Sequence, residues 1–354
     1  MKYKTRYSKE HYTRIWIRRD TYTRLVELCS RFNTPLVDCL DYIFNHQRLE
    51  SIAIKLAHAK IIPLNELMEL ISSLSLEEKI EITQRVIEEA LRLAKLLYSE
   101  ARTLVNFSGG KSSLVALDLM LQHIPREELL VHFNNTLNEF PETRRYVIWV
   151  VKEYYKIAKL IESRPRFKPW DIWRIFGFPR QSRLRRYTPV CCVMLKEIPA
   201  KLVIERYGIT VDVTGIQAME SRSRFFSLAD WGLIRRTKYI GSEITLKRSL
   251  IRVAPVGIWT EDEIWEYIRR NKLPVNPVYE KYNVKRTGCV ACTNFIGWEK
   301  AMASYSQRLY EYVKAKMSEW GIQERRVRHR ELREKLEKEL GTSKLEDLYE
   351  LIEY

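Results

Sequence analysis

The stretch that most constrains this chain is residues 104–118, Leu-Val-Asn-Phe-Ser-Gly-Gly-Lys-Ser-Ser-Leu-Val-Ala-Leu-Asp. Leu104 to Phe107 read as a short buried strand and Ser108-Gly109-Gly110 as a tight polar turn. From Ser112 the apolar residues Leu114, Val115, Leu117, Leu119 and Leu121 read as a helix. A strand, a glycine turn and a helix aim backbone N–H groups and a positive helix end at one point, where an anion is stabilised. Two glycines let the backbone approach a phosphate with no Cβ in the way. Lys111 adds a charge, and Ser108, Ser112 and Ser113 add hydroxyls. The pattern is not a Walker A loop, because Val105 stands where that loop needs its first glycine. The competing reading is an ordinary strand-to-helix turn.

Further strands are expected at Leu129–Phe133, Ile157–Ile161 and Val211–Thr214, with a helix opening at Pro141 between the first two. Strands separated by helices predict an α/β fold, a doubly wound and mainly parallel sheet with helices on both faces. Ligands of such sheets bind beyond the carboxyl ends of the strands. The loop at 108–113, the segment around Glu139 and the segment from Gly215 all follow strands and are expected to converge there.

Several stretches, in order, resemble the phosphoadenosine phosphosulfate (PAPS) reductase family. Ser108 to Ser113 resembles its PP-loop, whose usual form is Ser-Gly-Gly-Lys-Asp-Ser. Asn134 to Thr143 resembles its Asp-Thr-Gly-x-Glu-Phe-Pro-Glu-Thr segment, and Cys191-Cys192 its paired cysteines. Gly215 to Arg224 resembles Gly-x-Arg-x-x-Glu-Ser-x-x-Arg, Pro255 to Ile268 resembles the Trp-Thr helix start, and Gly288-Cys289-Val290-Ala291-Cys292 closes the set. The resemblance covers about residues 100–300. It implies the adenine nucleotide alpha-hydrolase-like fold and an adenine nucleotide as ligand: PAPS, adenylyl sulfate or ATP. By this resemblance residues 108–113, Glu139, Gly215, Arg222 and Arg224 form the nucleotide site. Lys111 balances charge and is the best candidate for a catalytic group, and the two arginines hold the far phosphate or sulfate.

The four cysteines at 191, 192, 289 and 292 suit a metal centre, since Cys-x-x-Cys thiolates ligate zinc or iron–sulfur. The family resemblance implies a [4Fe–4S] cluster; zinc and a free redox pair are the competing readings. Cys29 and Cys39 sit on apolar faces of expected helices and read as core. The chain departs from the family in three places: Ser112 replaces the PP-loop Asp, Asn135 the Asp of the second segment, and Gln217 the Arg of the third. Loss of two acids puts a Mg²⁺ ion in doubt. Sulfonucleotide reductases also use a cysteine near the C-terminus, and no cysteine follows Cys292. The implied chemistry is therefore sulfonucleotide reduction or adenylate-activated sulfur transfer. An ATP pyrophosphatase acting in DNA phosphorothioation and a DNA-binding nucleotide or redox sensor are the alternatives.

The 354 residues carry a formal charge of +16, which favours polyanionic partners. Thr13 to Arg18 alternates strictly, with Arg14, Trp16 and Arg18 on one side, and two short helical patterns follow it. Residues 1–48 thus resemble a ribbon-helix-helix DNA-binding unit, which would pair as a homodimer; a strand docked on the main domain is the alternative. Residues 49–100 read as a helical connector, with Ser75 capping a helix and Glu78 completing a capping box. Residues 101–300 form the PP-loop domain and 301–354 a helical extension. Residues 164–186 interleave basic residues with Trp170, Trp173, Phe176 and Phe178, either a nucleotide-binding surface or core aromatics with surface arginines. No run of apolar residues spans a membrane and no signal peptide is visible, so a cytoplasmic location is expected.

Overall fold

In the computed structural model, Thr23, Val26 and residues 36–184, 188–241, 244–294, 297–322, 325–342 and 345–354 are described. The ribbon residues Arg14, Trp16 and Arg18 lie outside them. The chain divides into two compact units, Met1–Ser51 and Ile52–Tyr354. The second unit therefore takes in the connector and the C-terminal extension along with the sheet.

The helices in chain order are α1 (Leu36–His58), α2 (Leu64–Ser73), α3 (Leu76–Tyr98), α4 (Lys111–Met120), α5 (Pro141–Trp149), α6 (Pro169–Phe176) and α7 (Val190–Cys192). They continue as α8 (Ile198–Arg206), α9 (Arg222–Trp231), α10 (Glu261–Arg270), α11 (Val278–Lys281), α12 (Trp298–Tyr305), α13 (Gln307–Glu319) and α14 (His329–Leu340). The capping box at the start of α3 forms as expected: Glu78 N–H donates to the Ser75 hydroxyl and Ser75 N–H donates to the Glu78 carboxylate. Helix α3 buries Ile82, Val86, Ile87, Ala90 and Ala94 along one stripe. It also buries Lys79, whose ammonium donates to Glu263 at 2.6 Å and to the Ile71 carbonyl. A lysine at that depth persists only because both contacts replace water.

The strands are β1 (Thr103–Asn106), β2 (Leu130–Asn134), β3 (Lys159–Pro165), β4 (Ser182–Arg183), β5 (Val211–Thr214), β6 (Ile234–Ile240), β7 (Ile244–Val253), β8 (Arg325–Arg326) and β9 (Tyr349–Glu353). Seven form one sheet in the order β6-β7-β5-β1-β2-β3-β9; β4 and β8 pair separately. The five central strands are parallel, and the two edges, β6 and β9, are antiparallel. This is the mainly parallel α/β sheet expected.

Two differences from expectation, and the choice between two readings of 164–186, have physical causes. Strand β3 begins and ends later than expected, because Glu162 and Ser163 are fully buried rather than turn residues. Arg144, Asn135 and Tyr354 satisfy Glu162, and His132 contacts Ser163. The C-terminus does not end in helix: Tyr349–Glu353 closes the β3 edge as a strand. The aromatics of 164–186 are core, since Trp173, Phe176 and Phe178 are essentially inaccessible and pack with Val313, Leu332 and Leu336 of the C-terminal helices. Cys191 and Ala291 belong to that same core. Both cysteine segments are thereby fixed to one apolar body.

One face of the sheet is split along the strands. Its N-terminal half is apolar, with Leu104, Leu130, Ile161 and Leu250 packed on Val203 and Ile204 of α8. Its C-terminal half is a polar row: Ser163, His132, Asn106, Asp212 and Arg252 are linked through hydrogen bonds across five strands. The polarity lies at the strand ends where ligands of such folds bind.

Candidate active site

The loop 108–113 has the geometry that its glycines suggest. Gly109 has φ of +76°, and a Cβ there would stand 2.8 Å from Thr143 Cγ2. Asn276 donates to the Gly109 carbonyl at 3.0 Å and to the Thr143 hydroxyl at 3.1 Å, holding the bend from below. Ser113 donates to the Gly110 carbonyl at 2.9 Å, and its hydroxyl lies 3.2 Å from that of Ser108. Among the described residues, no hydrogen bond engages the amides of Ser108, Gly109 or Gly110. Gly109 is buried and Gly110 half-buried; amides left unbonded at a helix start are suited to receive an anion. Gly215, at the end of β5, fits against the same helix start: a Cβ on it would lie 2.6 Å from the Ser113 nitrogen and 2.7 Å from its Cα. Gly215 thus serves as a close-packing residue beneath the loop.

Lys111 leaves the loop toward residues 261–285. Its ammonium donates to the Lys285 carbonyl at 2.8 Å and pairs with Glu261 at 3.2 Å. The rings of Trp265 and Tyr279 flank it at 5.6 and 5.3 Å. The Tyr279 hydroxyl accepts the Lys111 amide at 3.0 Å. Next in sequence, Arg286 sits near Arg224, whose pKa burial lowers first and the Arg286 charge second. Arg286 also acts on Cys192 and Cys292. Residues 285–292 therefore run from the PP-loop lysine past Arg224 to the cysteines. Of the two predicted arginines, Arg224 faces this segment while paired with Glu220; Arg222 is exposed at the start of α9.

The four cysteines share one electrostatic environment and none is in a disulfide. Cys192 is lowered to about 6 by a hydrogen bond from Cys191, with Lys196, Arg286 and Arg183 adding to it. Cys191, as the partner, is driven upward by the same bond and by burial. Burial pushes Cys289 up to about 11 and raises Cys292. One wide π turn, Val193–Glu197, follows Cys192 directly and carries Lys196, a device frequent at functional sites. The Lys196 ammonium is raised, first by Cys289 and then by Cys192 and Glu139. The turn at 289–292 is tied down by Asn138, which accepts from Val290 N–H at 2.6 Å and, through its side chain, from Ala291 N–H at 3.3 Å. The Thr136 hydroxyl lies 3.6 Å from the Cys289 sulfur. Among the described residues, no three His, Cys, Asp or Glu side chains gather around a single ion position. One tetrahedral ion needs sulfurs about 3.8 Å apart. A cluster in which each thiolate meets its own iron needs a wider set.

A scan against protein families matches the phosphoadenosine phosphosulfate reductase domain over residues 102–295, more than half of the chain. The chain belongs to that family. The adenosine 5'-phosphosulfate reductase of Geobacillus kaustophilus is 28% identical over 186 residues, covering 52% of this chain and 70% of the relative. An uncharacterized protein of Methanocaldococcus jannaschii is 33% identical over 190 residues, covering 53% of this chain but only 35% of that protein. Among solved structures, a Candida auris PAPS reductase in a phosphate complex aligns with 20% identity and a TM-score of 0.41, over 61% of this chain and 96% of its own.

Within the PAPS reductase family pattern, the departures of this chain are coupled in space. Ser112 and Gln217 stand where the family form has Asp and Arg, and they meet: the Ser112 hydroxyl donates to Gln217 Oε1 at 2.7 Å. Gln217 is buried and donates onward to the Trp259 carbonyl. A neutral hydrogen bond joins the two positions. Asn135 likewise turns inward, donating to Glu162 at 2.7 Å and accepting the Leu137 amide. Glu139 does not face the PP-loop. Thr136 donates to it through both amide and hydroxyl, and burial raises its pKa beside Lys196 and Cys289. No carboxylate from the three motif positions is left to hold a Mg²⁺ ion beside the loop, so these residues do not fit that metal. The sequence reading placed Lys196 in the stretch after the paired cysteines, 196–199, that resembles the family, without giving it a role, and it missed Asn276, Tyr279 and Arg286.

Proposed function

We propose that this chain binds an adenine sulfonucleotide, with its phosphate over the amides of 108–110 and its sulfur-bearing end beside Arg224, Arg286 and the four cysteines. The observation that carries this reading is the continuous cationic path from Lys111 through Arg286 to Cys192. A nucleotide lying along it has its negative groups matched at both ends. The absence of a motif carboxylate beside the loop favours adenylyl sulfate or PAPS over ATP, whose triphosphate usually brings Mg²⁺ with it. The naming of several relatives as adenosine 5'-phosphosulfate reductases is in keeping with this choice.

The four cysteines fit a [4Fe–4S] cluster by donor chemistry and by their shared surroundings. Bound there, such a group would supply a polarising charge next to the sulfo group. Around it, Lys196 and Arg286 hold anionic oxygens, and Thr136 and Asn138 fix the 289–292 turn. Reduction of adenylyl sulfate by two thiols yields sulfite, AMP and a disulfide, and reduction of PAPS yields adenosine 3',5'-bisphosphate in place of AMP, so a thiol outside the four ligands must attack. We assign that role to a dithiol co-substrate.

Protein purified without oxygen tests both parts. Iron and acid-labile sulfide of about four each per chain are expected, and both are lost in Cys191→Ser. Adenylyl sulfate is expected to bind without Mg²⁺, and Lys111→Met to weaken it at least tenfold. Binding of ATP only, dependent on Mg²⁺, would replace this reading with an ATP-activating one. Zinc in place of iron would remove the cluster.

A further inference from the structure

A second cleft lies beside this site. It has a volume of about 890 Å³ and runs between α9 and the β6–β7 hairpin, from Thr214 at the end of β5 outward past Trp231. Its walls carry Arg224, Arg235, Arg236, Lys238 and Arg252. Arg252 is neutralised by Asp212 at 2.6 Å, whereas Arg235 is lowered to about 10 by burial and by Arg252. Residues 222–252 hold eight Lys or Arg against two acids; Glu220, Asp212 and Glu205 pair with Arg224, Arg252 and Lys247 and Glu197 also lines the cleft, so its excess of positive charge rests mainly on Arg235, Arg236 and Lys238. In its floor the Thr214 hydroxyl is buried with no hydrogen-bond partner.

The apolar part of the surface is equally unusual. Trp231 is 53% exposed, Phe226 50% and Tyr239 44%. Trp231 and Tyr239 line the cleft, and Phe226 lies on the same helix as Trp231. Rings left in water beside arginines cost hydrophobic free energy unless a partner covers them. Unpaired bases stack on such rings while their phosphates pair with the cations, and an intact duplex keeps its bases out of reach.

We propose that the cleft between α9 and the β6–β7 hairpin binds a single-stranded nucleic-acid segment, with bases on Trp231 and Tyr239 and phosphates on Arg235, Arg236 and Lys238. The site is separate from the PP-loop and stands whether or not a sulfonucleotide binds there. Its Arg224 end opens toward the cysteines, so a strand lying in it would bring a base edge near the sulfur chemistry.

The test is fluorescence anisotropy of the full chain with a labelled 15-nucleotide DNA, the same sequence as RNA, and the duplex. Either single strand is expected to bind at least tenfold more tightly than the duplex, with affinity falling linearly in log salt. Whichever of the two binds more tightly identifies the source. Trp231→Ala is expected to weaken binding about tenfold, while Trp231→Phe retains it and guards against a folding artefact. Arg236→Glu with Lys238→Glu should abolish it, and the same charge change on α13, Arg308→Glu with Lys314→Glu, should leave most of it. Equal affinity for the duplex, indifference to Trp231→Ala in a folded protein, full displacement by adenylyl sulfate, or no binding of any strand would each overturn the proposal. The last would leave a protein partner to cover the aromatics.

Discussion

The PP-loop and the cysteine pole lie at the same end of one sheet, yet they are held by different forces. Apart from the Lys111 side chain, which pairs with Glu261, the loop is held by shape and by neutral hydrogen bonds: Gly215 against the Ser113 backbone, Asn276 under Gly109, Ser112 on Gln217. The cysteine pole is held in a field of charge, with Lys196, Arg286 and Arg183 acting on Cys192 and with Lys196 beside Glu139. A neutral scaffold is indifferent to pH and salt, whereas a charged one is not. The chain thus keeps a fixed glycine loop beside a tunable group of thiols.

The largest expected effect falls on the neutral side. Gly215→Ala would force a Cβ to 2.6 Å from the Ser113 nitrogen, and that neighbour is backbone, so the helix start must move. A cost of about 3–5 kcal/mol is expected, in the range of severe overpacking. Denaturant unfolding measures it. Adenylyl sulfate binding should be lost while metal content stays as in wild type. Loss of both together would show that the two regions are not independently held.

Next comes Gln217→Ala. It leaves the buried Ser112 hydroxyl without an acceptor and the Trp259 carbonyl without a donor. Two orphaned groups cost about 2 kcal/mol in all, read from the urea midpoint at constant m-value. The double variant Ser112→Asp with Gln217→Arg would put the two residue types of the family pattern in the same place. If the two positions are coupled as the geometry shows, it should be more stable than either single variant, and a double-mutant cycle gives the coupling.

These two contrasts also mark what the sequence could and could not reveal. The loop was legible because its strand, its glycines and its lysine are consecutive in the chain. The substitutions Ser112 and Gln217 were legible one at a time as departures, but their compensation is a contact across 105 residues. The cysteines were legible by spacing; Lys196 and Arg286 were not, since an ordinary basic residue reveals its role only when folding sets it among thiols. Glu139 misled because the motif in which it sits follows a strand, yet its side chain turns toward Thr136 and the cysteines. The C-terminal strand was hidden for another reason. Tyr-Glu-Leu-Ile-Glu has little pattern of its own and is specified by the open edge of β3, where Glu350 meets Arg164 and Tyr354 meets Glu162.

On the charged side, Lys196→Met should change thiol chemistry more than fold. In metal-free protein, alkylation of the Cys191–Cys192 pair requires thiolate, and the value of about 6 for Cys192 means that reactivity is already high at pH 7 and falls as pH drops through 6. Removing the Lys196 charge raises that midpoint, and a rise of about one pKa unit would cut the thiolate fraction, and so the rate, at pH 6 by roughly fivefold. The midpoint belongs to the pair of sulfurs rather than to either one. A midpoint unchanged in Lys196→Met would assign the depression to the Cys191 hydrogen bond and to Arg286 and Arg183, without Lys196.

The smallest effect separates stability from binding at the seam between the two regions. Arg224 pairs with Glu220 one helical turn away, and both side chains are about two-fifths exposed, at 43% and 39%. Solvent screens such a pair, so Glu220→Gln should change stability by less than about 0.5 kcal/mol. Its effect on ligand is opposite in sign. Arg224 must exchange Glu220 for an incoming sulfo or phosphate group, and removing that competitor lowers the cost of the exchange. Adenylyl sulfate affinity should therefore rise about twofold, and more at low salt than at high salt. A fall in affinity would mean that Glu220 orients Arg224 rather than competing for it. The charged region would then be as preorganised as the neutral one, and the distinction between them would rest on the thiols alone.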